Sequence, residues 1–184
     1  MLQINFKPFP ELESTRLKLR KVNETDVKEV FILRSDAGVM KYIPRPLAKD
    51  FQDALNHIEV INRGLAANQS INWAITEKGK DKLIGMICLV NLQLENYRTE
   101  IGYILNPQYQ GKGIADEALK TVIDYAFNTL NFHSLEALID PLNTASENLL
   151  KRNNFVKEAH FKEKTFYNGE FLDDVIYSLI RPKE

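Results

Sequence analysis

From Thr15 to Val22 apolar and charged residues alternate, Leu17 and Leu19 against Arg16, Lys18 and Arg20, which is the period of a strand with one wet face. Asn23-Glu-Thr-Asp then reads as a helix start, with Val27, Val30 and Phe31 along one side. Pro44 and Pro46 break the chain after Tyr42. Asp50 precedes a second amphipathic helix carrying Phe51, Ala54, Leu55, Ile58 and Leu65. Ser70 to Thr76 and Lys82 to Leu94 are the next strands, joined by the polar turn Glu77-Lys-Gly-Lys-Asp81, and Tyr97 to Leu105 is a fourth. A helix from about Gly113 to Thr129 follows, then a strand over His133 to Ile139 that ends at Asp140-Pro141. Thr144-x-x-Glu147 has the spacing of a capping box and opens another helix. Phe155 to Phe166 and Phe171 to Ile180 flank Asn168-Gly169, the pattern of a hairpin with a tight turn. This order predicts an α/β (α+β) fold: a mixed, mostly antiparallel sheet of six to seven strands with helices on both faces.

Length and charge narrow the picture. A chain of 184 residues fits one domain, taken as residues 1–184, and is long enough for a substantial core. Lys and Arg number 24 against 25 Asp and Glu, so no broad nucleic-acid footprint is expected. No apolar stretch is long enough to span a bilayer, and no basic segment followed by an apolar one opens the chain. A cytoplasmic protein without a membrane partner is the expectation. Cys88 is the single cysteine and sits in an apolar strand, which reads as a small core residue. His57, His133 and His160 are scattered without ligand spacing, so no metal site is expected.

The candidate chemistry lies in Glu100-Ile-Gly-Tyr-Ile-Leu-Asn-Pro-Gln-Tyr-Gln-Gly-Lys-Gly-Ile-Ala115. A strand runs into a Pro-bearing turn, a Gly-rich bend and a helix that starts almost on the glycines. That order aims free backbone N–H groups and the positive end of a helix dipole at one point, where a pyrophosphate fits. Gly111 and Gly113 let the main chain approach without a Cβ in the way. A Walker loop needs Ser or Thr after Gly-Lys, whereas Gly113 follows Lys112. A dinucleotide fingerprint wants a third glycine where Asp116 stands.

The pattern Gln110-x-x-Gly113-x-Ala115 resembles motif A of the GNAT N-acetyltransferases, which bind acetyl-CoA. The wider string is most similar to the RimJ/RimL branch, whose members acetylate N-terminal amines of ribosomal proteins and other amines. The similarity extends over nearly the whole chain. It implies the GNAT fold, with the sheet splayed between the fourth and fifth predicted strands, and acetyl-CoA as cosubstrate. It implies that Tyr103, Ile104 and Leu105 offer main-chain groups to the pantetheine arm, with an oxyanion donor N–H near Tyr103 or Ile104. Gln110 belongs to the same motif, and the pyrophosphate would rest on Gly111, Lys112, Gly113, Ile114 and Ala115. Asp116 stands where the family usually has a small residue, and a carboxylate there is expected to turn away from a diphosphate.

Asn143-Thr-Ala-Ser146…Asn154-Phe155 resembles the family's second motif, which gives Asn143 a bond to main chain or cofactor. Leu150 replaces the tyrosine that protonates the leaving thiolate in many members, and the branch resemblance passes that role to Ser146. Glu100 matches the glutamate that serves some members as base, with water as the alternative. A second carboxylate known from the ribosomal branch falls at Thr165, with Glu163 two residues earlier. The acceptor pocket would be walled by the two N-terminal helices, residues 34–49 and the Tyr167-Asn-Gly-Glu170 turn, with Tyr42, Trp73, Tyr97 and Tyr167 as candidate lining. The function implied is transfer of acetyl from acetyl-CoA to a primary amine, a protein N-terminus or a small molecule, by direct attack in a ternary complex. The alternatives are a non-catalytic acyl-CoA sensor or interaction module, in which Leu150, Asp116 and Thr165 record lost chemistry, and a structural domain that binds no cofactor. Members of the branch occur as monomers and dimers, so a homodimer stays open.

Overall fold

In the computed structural model, which describes residues 1–182, eight strands form one sheet in the order β1-β2-β3-β4-β5-β6-β8-β7. They are β1 (Leu12–Glu13), β2 (Leu17–Lys21), β3 (Ile71–Glu77), β4 (Gly85–Gln93), β5 (Arg98–Leu105), β6 (Ser134–Ile139), β7 (Val156–Tyr167) and β8 (Glu170–Ile180). Every neighbouring pair is antiparallel except β5 and β6. The helices are α1 (Val27–Ser35), α2 (Ala37–Met40), α3 (Phe51–Ala66), α4 (Ile114–Asp124) and α5 (Thr144–Arg152).

Strand β3 is buried at five of its seven positions, Thr76 among them, because it is covered on both sides. Ile71, Trp73 and Ile75 pack toward α4, which contributes Ile114, Ala118, Leu119 and Val122, while Ala74 packs toward α1 and α3. The smaller core on that second side contains Val30, Leu33, Ala54, Ile58 and Ile61. Truncating a fully buried side chain such as Ile58 costs about 2–5 kcal/mol in such a setting. Each helix face therefore matches the apolar spacing of its sequence.

Several details differ from the sequence reading. The sheet gains an eighth strand because Leu12 and Glu13 pair with Leu19 and Lys18, a stretch too short to show periodicity. The long helix changes to a wider turn at Tyr125–Thr129. The α5 cap is Asn143, whose side chain accepts from Ser146 N, so the Thr144-x-x-Glu147 spacing lies one residue past the real cap. Trp73 is fully buried in the α4-side core, where its indole N–H donates to Pro10 O at 2.7 Å, and so cannot line an acceptor pocket. Tyr97 lies just before β5, where its carbonyl accepts from His133 and Ser134 at the paired end of β5 and β6, and its hydroxyl accepts from the Met1 amino group at 3.1 Å, away from the stretch that opens after Glu100. Among the described residues no helix is long and apolar enough to cross a membrane.

Candidate active site

The strands β5 and β6 pair over only Arg98↔Ser134, Thr99↔Leu135 and Glu100↔Glu136, and then part. On its other side β5 stays paired with β4 as far as Leu105. The stretch Ile101–Leu105 therefore presents one edge to a slot instead of to a strand, a place where an extended chain can lie as an added strand. Glu100 stands at the apex of this slot. Side chains alternate across β5, so Tyr103 packs on the α4 side and Ile104 on the α1/α3 side, which Glu100 shares by register.

The slot leads to the Gly-rich bend. Gly111 and Gly113 have φ of 70° and 73°, the left-handed region that favours glycine. Nothing lies within 4 Å of where a Gly111 Cβ would sit, and at Gly113 the nearest atom is an Arg16 guanidinium nitrogen at 3.4 Å. Backbone shape therefore demands the glycines more than crowding does. The helices α2, α3 and α5 begin on side-chain caps from Asp36, Asp50 and Asn143, but α4 begins on Gly113 with none. Among the described residues no side chain thus competes for the first amides of α4, the donors that an anion would take. Gln110 Nε2 donates to Leu105 O at 3.2 Å, tying the bend to the end of β5, and Lys112 Nζ donates to Gln108 O at 2.7 Å.

Both carboxylates in the first turn of α4 are held sideways. Asp116 is paired with Lys120 at 2.7 Å and accepts from Asn153 at 2.8 Å, which keeps its carboxyl below the ordinary range. Glu117 is pushed up by burial, but hydrogen bonds from Ser14 and Arg16 outweigh that and hold it low. Arg16 also donates to Lys112 O at 3.0 Å, so its charge rests against the bend. Its place in an alternating strand hides this role from a sequence reading.

At the other end, Asn143 caps α5 through Ser146 N at 3.1 Å and so fixes the turn that carries Ser146. Ser146 Oγ lies 2.6 Å from Tyr103 Oη, across from β5 to α5. Burial pushes the Tyr103 phenol up to about 12 against the opposing effect of the Ser146 bond, so it is protonated at neutral pH. The sequence offered Tyr103 only as a main-chain contact; its hydroxyl is a functional group that alignment of strand and helix alone would reveal. Leu150 is fully buried core.

On the α1/α3 side, Glu100 accepts from Asn91 Nδ2 at 2.6 Å. Asn91 has φ 49° and lies in a bulge where β4 carries an extra residue between Val90 and Gln93, which turns its amide toward β5. Burial raises the Glu100 pKa; the Asn91 bond lowers it and the Glu136 charge raises it further. A carboxyl in that state suits a base near neutrality. Thr165 donates to Asp174 Oδ2 at 2.9 Å, so the carboxylate near that position comes from β8, whereas Glu163 is exposed. Only the hairpin's register, with its irregularity between Phe161 and Thr165, brings Asp174 there. Cys88 is half-buried and its thiol is pushed up to about 12 by burial, which leaves it an inert thiol. Among the described residues no group of His, Cys, Asp and Glu is placed to hold a metal.

Comparison with known proteins completes the picture. The sequence model of the acetyltransferase (GNAT) domain matches residues 16–156. An uncharacterised N-acetyltransferase, p20, of Bacillus licheniformis is 34% identical over 170 residues, covering 92% of the chain and 96% of the relative. The uncharacterised N-acetyltransferase YoaA of Bacillus subtilis (strain 168) is 30% identical over 176 residues, 96% of the chain and 99% of the relative. A spermidine N(1)-acetyltransferase of Vibrio cholerae is 27% identical, covering 87% and 90%. Among solved structures, a GNAT-family acetyltransferase from Bacillus anthracis superposes with a TM-score of 0.83 at 29% identity, covering 93% of the chain and 98% of that structure. The ribosomal L7/L12 α-N-protein acetyltransferase RimL, solved with coenzyme A, gives 0.82 at 21% identity with coverage of 93% and 98%, a likeness of fold.

Proposed function

The chain belongs to the GNAT acetyltransferase family and is an acetyl-CoA-dependent acetyltransferase, and from that premise we propose that it acetylates a primary amine by direct attack in a ternary complex. Acetyl-CoA supplies an activated acyl thioester, so the protein's task is positioning and proton handling. The uncapped amides of residues 112–115 and the Arg16-backed bend would hold the diphosphate, and the free edge of Tyr103 to Leu105 would align the pantetheine arm. Glu100, poised by burial and Asn91, takes a proton from the incoming ammonium. Ser146 Oγ, hydrogen-bonded to the protonated Tyr103 phenol, returns one to sulfur. These hydroxyls supply an acid where Leu150 lacks one, which favours an enzyme over a sensor.

The observation that carries this reading is the parting of β5 and β6 directly after Glu100, with Ser146 and Tyr103 on one side and the carboxylate on the other. Names of relatives supply two acceptor types, spermidine and a ribosomal protein N-terminus, and both are primary amines. A cytoplasmic site of action suits the supply of acetyl-CoA. Release of coenzyme A thiol, followed with DTNB over an amine panel, tests the function. Release with at least one amine supports it; tight acetyl-CoA binding without release on any amine would support the sensor.

A further inference from the structure

Two arginines of the acceptor side, Arg34 and Arg45, have no carboxylate partner among the described residues. Arg34 closes the last turn of α1 and is half-buried. Its guanidinium reaches only the Met40 sulfur at 3.6 Å and Pro46 O at 3.4 Å, both weak acceptor contacts. Arg45 lies between Pro44 and Pro46 in the segment that joins α2 to α3. Its N–H donates to Ile43 O at 2.7 Å, and the proline that follows restricts it to extended backbone. Ala48 N, which donates to Arg34 O at 3.0 Å, ties the same segment to α1. Arg45 is thus presented on a stiff support. Among the described residues neither guanidinium has a carboxylate within salt-bridge distance, as is also true of Arg63, Arg152 and Arg181 but not of Arg16, Arg20 and Arg98; what sets Arg34 apart from the exposed Arg45, Arg63 and Arg152 is its half-buried place.

Arg34 follows Leu33 on α1, which packs with Ile104 on the face of β5 that Glu100 shares, and Arg45 lies in the segment that Ala48 ties to α1. His57 on α3 is depressed to about 4, first by burial and then by Arg34 and Arg45, so it stays neutral and adds no third positive charge beside them. Arg45 acts electrostatically on Glu100 and Cys88, and Arg34 on Tyr167 at the hairpin turn. Arg34 itself is lowered by burial and next by Arg45. A half-buried cation beside a second cation, anchored by sulfur and carbonyl, is an arrangement that an anion completes.

We propose that the amine acceptor carries a carboxylate, which Arg34 and Arg45 bind while the amine lies at Glu100. The inference rests on the acetyltransfer reading above and narrows its substrate class. A polyamine such as spermidine would bring more positive charge to this pair, so it is a poor acceptor here. The carboxylate belongs either to a free amino acid or to an acidic side chain next to a peptide N-terminus.

The test is a set of matched acceptors with the full-length protein, read by thiol release: β-alanine against β-alaninamide, and Ser-Asp-led against Ser-Asn-led peptides, with spermidine alongside. The carboxylate member of at least one pair should have kcat/KM about tenfold or more above its neutral partner, the scale of one charged hydrogen bond. Which pair responds distinguishes the two carboxylate sources. Arg45→Gln, at an exposed position, should bring the two members of the responding pair to equal kcat/KM while acetyl-CoA affinity stays unchanged. Arg34→Gln should do the same, with thermal melting as its folding control. Equal use of the paired acceptors, a preference for spermidine, or an Arg45→Gln protein that keeps the preference would overturn this proposal alone. Absence of thiol release with every amine, despite acetyl-CoA binding, would overturn the acetyltransfer reading and this one with it.

Discussion

In the proposed site, consecutive residues between Gln110 and Asp116 would make the coenzyme end, mostly with main-chain atoms, whereas the acceptor end would draw on Arg34, Arg45, Asn91, Glu100 and Asp174 from separate elements. The first is a local device: positive-φ glycines, an uncapped helix start and a strand edge left open by its neighbour. The second exists only after α1, β4, β5 and β8 have been brought together. Side-chain substitutions should therefore damage the two ends in different currencies, turnover and acceptor choice at one, coenzyme affinity at the other.

The largest effects belong to the proton-handling groups. Ser146→Ala should lower kcat by about 10²-fold with little change in acetyl-CoA Kd, in the range of general acid–base contributions. Glu100→Gln should act similarly. Because burial raises the Glu100 pKa, the wild-type rate should fall as pH drops through a range above that of ordinary carboxylates, where a protonated carboxyl can no longer accept. The Gln variant should lack that limb; a pH–rate profile that keeps it would transfer the base role to water or to another group.

Gly113→Val attacks the other end. Forcing a β-branched residue to positive φ costs about 1–3 kcal/mol, or roughly 5- to 150-fold in coenzyme affinity if the bend shifts to relieve it. Isothermal titration with acetyl-CoA measures it. Gly169→Val, at φ 86° in the exposed β7–β8 turn, carries the same strain outside the bend and should leave affinity intact. Equal losses from both would mean that general destabilisation, not the bend, controls binding.

A smaller effect is expected for Tyr103→Phe, which removes the partner of Ser146 but leaves the serine: about a tenfold loss of kcat, with its pH dependence altered and acetyl-CoA Kd retained. Smallest is Asn143→Ala, which removes the α5 cap and should cost about 1 kcal/mol of stability, seen as a lower Tm, with a modest fall in kcat from a looser Ser146.

The same contrast explains what could be read from the chain beforehand. The glycines and helix start of the bend were legible because they are consecutive in the chain, and the order of strands was legible because elements such as β2, α3 and α4 carry an apolar period and Asn168-Gly169 marks the last hairpin. Leu12–Glu13 was too short to carry a period, and Trp73 and Tyr97 share the aromatic spacing of pocket residues while packing in the core and against the chain start. The Tyr103–Ser146 contact, the Arg16 support beneath the bend and the arrival of Asp174 beside Thr165 depend on pairings between residues 43, 96 and 9 positions apart. No local pattern encodes such meetings; sheet register and helix docking create them.

Diffraction from crystals grown with coenzyme A tests the central claim most directly. The diphosphate should accept hydrogen bonds from the amides of residues 112–115, with the thiol between β5 and β6 beside Ser146 Oγ. A coenzyme bound elsewhere, with the bend bare and the two strands closed on each other, would contradict it.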